Sequence, residues 1–100
     1  MDNKISLVIP ALSSNFYIED YIINILFWKK KPSEIIIVNT SEKIVLGQNI
    51  KQQVKKNNID LIIIQKKNLF PGAARNIGIR KAKYNYILFL DMNTQPYKED

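Results

Sequence analysis

Apolar residues along this chain of 100 residues fall into four short continuous runs, separated by stretches in which apolar and polar positions mix. The runs are rich in Ile, Leu and Val and barely alternate with polar residues, which favours strands buried on both faces of a parallel sheet. Pro10 ends the first run. The predicted strands are Ile5–Ile9, Glu34–Val38, Asp60–Ile64 and Tyr86–Leu90.

The stretches between the runs carry apolar residues at helical spacing. The first helix has its apolar stripe at Ile18, Tyr21, Ile22, Ile25 and Leu26. Lys29–Lys31 would close this helix at the negative end of its dipole, and Pro32 forbids its continuation. The second helix is marked by Leu46, Ile50 and Val54. A third helix is predicted from Pro71, which suits a first turn, to about Lys83.

This order of elements predicts an α/β fold. The β-α-β-α-β-α-β pattern, with right-handed crossovers, gives a Rossmann-like parallel sheet with helices on both faces. The chain has no internal repeat or linker tract, so residues 1–100 are expected to form one domain. Ligands of such sheets bind beyond the carboxyl ends of the strands. Functional residues are therefore sought in the loops that follow the strands.

Composition and motif searches exclude several chemistries. The chain contains neither Cys nor His, which excludes disulfides, thiol nucleophiles, Ser-His-Asp triads and HExxH metal sites. The loop at residues 10–15 has no glycine, and no GxxxxGK[ST] occurs, which excludes the dinucleotide fingerprint and the P-loop. No run reaches the ~18 apolar residues of a membrane span. No signal-peptide pattern is present either, so a cytoplasmic location is expected.

Fifteen Lys and Arg residues against nine Asp and Glu residues give a net charge of +6. This excess suits an anionic partner such as a nucleotide, a nucleic acid or an acidic membrane surface bound peripherally. A composition rich in Ile, Asn and Lys also produces it without selection for binding, and both interpretations stay open. The Lys residues are dispersed and accompany no recognised nucleic-acid motif, so no nucleic-acid partner is expected.

Phe70–Arg80 opens a predicted helix with small residues. Gly72 has no side chain to cover the first amides, and Arg75 and Asn76 follow about one turn later, which suits an anion or a nucleotide. The alternative is close packing of the helix on the sheet through the small residues Gly72, Ala73, Ala74 and Gly78.

Asp91 and Asn93 follow the last apolar strand. Their hard oxygen atoms suit Mg²⁺ or Mn²⁺ bridging a diphosphate. The same residue types also form a turn that needs no metal, so this interpretation stays open as well.

Taken together, the whole chain resembles the N-terminal, nucleotide-binding half of a family 2 glycosyltransferase with the GT-A fold. The matching segments, in the family's order, are Ile5–Pro10, Glu34–Val38, Pro71–Ile79 and Tyr86–Asp91. The most specific of them is the run GAARNIGI, residues 72–79.

This resemblance implies transfer of a sugar from a nucleotide-diphospho-sugar, commonly a UDP-sugar, to an acceptor hydroxyl. Pro10 and Ala11 would line the nucleobase pocket, and Arg75 and Asn76 would lie near the nucleotide. The identity of the acceptor is not implied.

Three of the remaining carried-over positions, Asn39, Thr40 and Asn93, depart from the family's pattern. Asp91 matches the first Asp of the DxD motif, and Asn93 stands at the second, metal-binding position. The neutral amide of Asn93 is expected to weaken Mg²⁺ or Mn²⁺ binding. Asn39 and Thr40 occupy two positions where the family usually has Asp, although Asn39 still offers an amide to a base edge.

The resemblance also implies that the family's acceptor site and catalytic base lie beyond these 100 residues. No catalytic residue is therefore assigned, and the chain is expected to be inactive alone. The alternative is a non-catalytic nucleotide-binding or interaction module in which Asn39, Thr40 and Asn93 mark the decay of the site. An uncovered edge of the sheet is expected to cause self-association.

Overall fold

The computed structural model describes residues 4–11, 18–40, 46–67 and 70–90. The elements follow one another in the predicted order of alternating strands and helices. They are β1 (Ile5–Ala11), α1 (Ile18–Leu26), β2 (Glu34–Asn39), α2 (Gln48–Lys56), β3 (Asp60–Gln65), α3 (Pro71–Lys81) and β4 (Tyr86–Phe89).

The four strands form one parallel sheet in the order β3-β2-β1-β4. Alternate residues of the central strands point to opposite faces, and each face has its own core. Leu7, Ile9, Ile35 and Ile37 pack with buried residues of α1 and α2 on one face. Val8, Ile36 and Val38 pack with Ala74 of α3 on the other. Helices therefore cover both faces, and the predicted α/β fold is confirmed.

β1 continues past the proline that was predicted to stop it. Pro10 pairs in register with Val38, and Ala11 pairs with Asn39. The Ala11 carbonyl accepts the Thr40 amide, so odd-numbered residues of β1 direct their backbone groups toward β2. The missing N–H of Pro10 therefore faces β4, and the ladder with β2 does not need it.

Among the described residues, β3 and β4 lie at the two edges of the sheet. The prediction that Asp60–Ile64 is a strand buried on both faces is wrong. Ile63 is 37% exposed, and Leu88 of β4 is 47% exposed. An unbroken apolar run does not distinguish a central strand from an edge strand, because the flanking elements decide what covers it.

Two helices end earlier than predicted. α1 ends at Leu26, so Lys29–Lys31 lie beyond its last turn. The amides of Phe27 and Trp28 instead bond carbonyls three residues earlier. α3 ends at Lys81 rather than near Lys83, because the Ala82 backbone is already extended.

A buried polar cluster connects elements at the amino ends of the strands. The Ser6 hydroxyl donates to Glu34 Oε1 over 2.8 Å, and the Lys83 amide donates to the same oxygen over 3.0 Å. The Tyr84 amide donates to Ser6 Oγ over 3.3 Å. Glu34 is fully buried, and its Oε2 has no hydrogen-bond partner among the described residues. The cluster anchors the connection between α3 and β4 to the two central strands.

The Lys83 side chain extends from this cluster to the surface, where its Nζ lies 2.5 Å from Asp60 Oδ2. The hydrogen bond from the ammonium to that carboxylate raises the pKa of Lys83 above its usual 10.5. Both side chains are more than half exposed.

Candidate functional site

The carboxyl ends of the three strands β1, β2 and β3 bring polar residues into one row. Ala11, Asn39 and Gln65 are direct neighbours in register across these strands. The row lies on the sheet face that packs against α1 and α2, since Ala11 belongs to that core. Pro10 and Val38 form the preceding row, on the opposite face. The predicted base-binding positions therefore lie together at this edge of the sheet.

Asn39 is fully buried, which is unusual for an amide side chain. Its Nδ2 donates to Gln65 Oε1 over 2.8 Å, so part of its hydrogen-bonding capacity is used within the sheet. Thr40 follows, with its amide 3.0 Å and its hydroxyl 3.5 Å from the Ala11 carbonyl. These contacts join the ends of β1, β2 and β3.

Sequence reasoning missed Gln65. The predicted strand ends at Ile64, where the apolar run ends, yet β3 includes Gln65. A detectable signal was present, because Gln65 follows its apolar run as Asn39 follows its own. In two adjacent parallel strands, residues in equivalent positions become neighbours.

Pro10 ends the pairing of β1 with β4 at the same edge. The last hydrogen bond of that ladder runs from the Leu90 amide to the Val8 carbonyl, over 3.0 Å. The next rung of a parallel ladder would need an N–H from Pro10, which proline lacks. The end of β4 is thus set by a residue predicted to line the site.

The first turns of α3 approach this edge from the opposite face. Arg75 is exposed, and its guanidinium carbon lies 6.0 Å from the ring centroid of Phe89 in β4. Asn76 is exposed beside it. The first turn of α3 carries no acidic residue, and Phe70 at the N-cap provides no side-chain hydrogen bond. The positive end of the helix dipole and a guanidinium therefore lie within one turn of each other.

The sequence left two interpretations of the small residues of α3, an anion contact and close packing on the sheet. Different residues fit each interpretation. A Cβ atom at Gly78 would lie 2.3 Å from Val8 Cγ1, so this glycine allows the helix to contact the sheet. Ala74 is fully buried in the same contact. A Cβ at Gly72 would meet nothing within 4 Å. Packing explains Ala74 and Gly78, whereas it does not explain Gly72.

A groove of about 440 Å³ lies elsewhere, between α2 and β3. Its lining residues are Lys51, Val54, Lys55, Ile59, Asp60, Leu61 and Ile63. None of them is a predicted site residue, so the groove is separate from the row of residues described above.

The metal-ligating candidates Asp91 and Asn93 lie outside the described residues. Across residues 4–11, 18–40, 46–67 and 70–90, no three acidic side chains cluster as metal ligands would. Within the same ranges, no helix has the length and apolar character needed to cross a membrane. A metal site at Asp91 and Asn93 therefore stays a prediction.

The protein has a parallel α/β sheet with polar side chains and a helix N-terminus at its carboxyl edge. It therefore falls in the class of open α/β domains, which bind ligands at that edge. Comparison with known proteins identifies the family within this class. The chain belongs to glycosyl transferase family 2, whose family model matches residues 6–100.

Relatives and solved structures agree with this assignment. An uncharacterized glycosyltransferase of Rickettsia conorii is 32% identical over 98% of this chain and 16% of its own length. Poly-beta-1,6-N-acetyl-D-glucosamine synthase of Staphylococcus aureus strain COL is 30% identical over 90% of the chain and 22% of its own length. The chain thus spans less than a quarter of these relatives.

The crystal structure of S. aureus TarS 1–349 superposes with a TM-score of 0.66, covering 88% of this chain and 27% of that one. At 22% identity, this similarity shows the fold alone. The GT-A-like architecture expected from the resemblance is confirmed.

Proposed function

We propose that the carboxyl edge of this sheet binds a nucleotide-diphospho-sugar, a UDP-sugar in particular, for transfer of the sugar to an acceptor hydroxyl. The observation that supports this best is that the row of Ala11, Asn39 and Gln65 lies at the same edge as the Arg75 guanidinium. Membership of glycosyl transferase family 2 gives the reaction class.

The row at the ends of β1 and β2 supplies the base-binding part of the proposal. Pro10 and Ala11 are buried and paired with β2 in the ladder, which suits a wall of a base pocket. Asn39 and Thr40 supply amide and hydroxyl groups next to that wall.

The N-terminal part of α3 supplies the diphosphate-binding part. Gly72 has open space where a side chain would lie, so a phosphate can approach the first backbone amides. Arg75 adds a positive charge, and its contact with the Phe89 ring restricts where the guanidinium lies. Asn76, one residue further, is available for the nucleotide.

A divalent cation, Mg²⁺ or Mn²⁺, completes the proposal, with Asp91 and Asn93 as its ligands. The cation would offset negative charge on the diphosphate leaving group. Leu90, the residue before Asp91 in the sequence, donates its amide to the Val8 carbonyl at the proposed edge.

Calorimetric titration of UDP and UDP-sugars with and without Mn²⁺ tests this function. We expect binding that Mn²⁺ strengthens. We also expect Asp91→Ala to remove most of the increase in nucleotide affinity that Mn²⁺ produces. The control is Lys56→Ala, at an exposed position at the end of α2, and it should leave that increase unchanged. Equal losses in the two variants would contradict the assignment of Asp91.

The second candidate function is a non-catalytic binding or interaction module of the same fold. The neutral, buried Asn39 favours it, because an amide bonded within the sheet lacks the charge of the family's usual Asp. Absence of binding to every nucleotide in the titration above would support this candidate over the first.

Self-association through β4 is the partner interaction we propose. Tyr86, Leu88 and Phe89 are 60%, 47% and 45% exposed on a strand with one unpaired edge among the described residues. Light scattering is expected to show a mass that rises with protein concentration, and Leu88→Lys is expected to lower it. A strictly monomeric chain at high concentration would contradict this proposal.

A further inference from the structure

We propose that the turn at residues 27–31, the α1 turn, attaches this domain to the surface of an anionic lipid membrane. Phe27 enters the boundary between headgroups and acyl chains, and the neighbouring lysines contact the anionic headgroups. This inference goes beyond nucleotide binding and does not depend on it. The α1 turn lies at the amino ends of the strands, whereas the proposed nucleotide edge lies at their carboxyl ends.

Phe27 is 81% exposed, although the backbone that carries it is held in place. The amides of Phe27 and Trp28 each donate to a carbonyl three residues earlier, over 3.0 Å. Trp28 packs against the core, and its Nε1 donates to Asn24 Oδ1 over 3.1 Å. An ordered turn therefore holds a large apolar ring in solvent. Single apolar side chains are common on protein surfaces, so the charges around this one decide which partner fits.

Three lysines at residues 29–31 follow the two aromatic residues directly. Lys29 and Lys30 are exposed, and Lys31 Nζ donates to the Trp28 carbonyl over 3.1 Å. Basic residues often end helices because they offset the helix dipole. That reason applies to α2 and α3, which have basic residues in their last turns, but α1 has none there. Its lysines lie beyond the helix, where charge complementarity with an anionic surface accounts for them.

The fold gathers at this end cations that are dispersed along the sequence. Helices that connect parallel strands run antiparallel to them, so all three helices end beside the amino ends of the strands. Nine basic residues lie in these last turns, in the connections that follow them or directly before β1. They are Lys4, Lys29, Lys30, Lys31, Lys55, Lys56, Arg80, Lys81 and Lys83. Among the described residues at this end, the acidic side chains are the buried Glu34 and Asp60, which pairs with Lys83.

The apolar side chains at this end favour a lipid surface over a nucleic acid. Ile23, one turn before Phe27, is 42% exposed, so aliphatic as well as aromatic surface is presented. Nucleic-acid sites instead offer aromatic rings on which successive bases stack. The ring of Tyr84 has Lys4 Nζ and Lys83 Nζ over it, 5.6 and 5.8 Å from its centroid. Its own cations thus occupy the positions that stacked bases would need.

Co-sedimentation of the full chain with lipid vesicles tests the proposal. One set is phosphatidylcholine alone, and the other is an equimolar mixture of phosphatidylcholine and phosphatidylserine. We expect binding to the mixed vesicles, weakened by salt, and much weaker binding to phosphatidylcholine alone. Absence of binding to the mixed vesicles, or equal binding to both sets, would overturn the proposal.

Trp28 is the single tryptophan of the chain and adjoins Phe27, so its fluorescence reports on the α1 turn. Lipids brominated on the acyl chain close to the headgroup should quench this fluorescence when the chain binds the mixed vesicles. Binding without quenching would place the contact elsewhere on the molecule and would contradict the role of the α1 turn.

Phe27→Ser is expected to weaken binding to the mixed vesicles about tenfold, because the apolar area that enters the lipid is lost. Phe70→Ser is the matched control, since Phe70 is 83% exposed but lies at the N-cap of α3, at the carboxyl end. Neither ring is part of the core, and Trp28 fluorescence without lipid checks that both variants fold. Equal losses in the two variants would overturn the assignment of Phe27.

The double variant Lys29→Gln, Lys30→Gln tests the charges of the turn. At about fivefold for each lysine, we expect its affinity for the mixed vesicles to fall about thirtyfold. The control is Lys66→Gln, Lys67→Gln, which removes the same charge from exposed positions after β3, at the carboxyl end. Equal losses would show attraction by net charge alone, without a defined surface.

Two further results would assign the α1 turn to another partner and overturn the proposal. One is tighter binding to a DNA duplex than to the mixed vesicles, with no effect of Phe27→Ser. The other is a lipid-free mass in light scattering that falls to that of a monomer in Phe27→Ser, which would place Phe27 between two copies. The vesicle measurements contain no nucleotide, so failure of nucleotide binding leaves this inference standing. Phe27→Ser should also keep the UDP affinity of wild type.

Discussion

The two ends of the sheet both hold buried polar groups, but those groups have different partners. At the amino ends, Glu34 accepts from the Ser6 hydroxyl and from the Lys83 backbone amide. At the carboxyl ends, Asn39 bonds the exposed side chain of Gln65. The first cluster ties together parts of the backbone that are distant in sequence, whereas the second includes a side chain at the surface.

This difference separates a stabilising polar cluster from a candidate binding site. Burial by itself would point to Glu34, since a fully buried acidic side chain is rare. Yet the partners of its Oε1 are the Ser6 hydroxyl and the Lys83 backbone amide, and it lies at the end of the sheet where ligands of open α/β domains do not bind. The less conspicuous Asn39 lies at the end where they do. Partners and position therefore indicate function better than burial does.

Among the variants that test this comparison, Glu34→Ala is expected to change the free energy of unfolding most. The variant leaves the Lys83 amide and the Ser6 hydroxyl without their acceptor, so we expect a loss of about 2–4 kcal/mol in the free energy of unfolding. Urea denaturation measures this loss. Glu19→Ala is the matched control, because the Glu19 carboxylate also accepts a backbone amide, that of Gly47, over 2.8 Å but near the surface.

Glu19→Ala is expected to cost less than about 1 kcal/mol. Similar losses in the two variants would show that the amino-end cluster does not stabilise the fold as described. If Glu34→Ala remains folded, its nucleotide affinity is expected to match that of wild type, because the cluster lies at the far end of the strands.

An intermediate effect is expected from the two glycines of α3. Gly78→Ala places a Cβ 2.3 Å from the Cγ1 atom of the fully buried Val8, and we expect it to lower the free energy of unfolding by about 1–3 kcal/mol. Gly72→Ala meets open space, so the helical preference of alanine should leave stability unchanged or raise it by up to about 1 kcal/mol.

The two variants Gly72→Ala and Gly78→Ala also test which end of α3 faces a ligand. Under the proposed function, Gly72→Ala weakens UDP binding because its methyl group occupies part of the space before the first amides. A Gly72→Ala variant with lower stability and unchanged affinity would reverse the assignment of the two glycines.

Much of the fold was predictable because each central strand carries its own signal. Continuous Ile and Val runs predicted β1 and β2, and their residues form both cores. The spacing of Ile18, Tyr21, Ile22 and Ile25 predicted the buried face of α1. These are local patterns, and local patterns are what a single sequence contains.

The errors concern features that depend on neighbouring strands. Whether Pro10 ends a strand depends on which side its missing N–H faces, and that side is set by the order of strands in the sheet. Exposure of Ile63 depends on β3 being an edge. Gln65 became part of the candidate site only through its register with Asn39. Asp91 and Asn93 lie outside the described residues, so their roles stay predictions.

The smallest expected effect concerns the surface pair of Lys83 and Asp60, next to the Glu34 cluster. Its hydrogen bond raises the pKa of Lys83 in the folded chain above 10.5, so folding favours the protonated ammonium. The resulting stabilisation is fully present below pH 10.5 and is lost as the pH rises through the raised pKa. Since both side chains are largely exposed, the contribution is expected to be small and screened by salt.

We therefore expect Lys83→Met to change the urea midpoint slightly at pH 8 and low salt, and the difference from wild type to shrink in 1 M salt and above pH 10.5. Lys51→Met, an exposed lysine of α2 with no ion pair among the described residues, is the control and should show neither trend. A difference that persists unchanged at high pH and in high salt would show that the ion pair with Asp60 does not cause it. Both proteins keep the backbone bond from residue 83 to Glu34, so that bond cannot account for any difference between them.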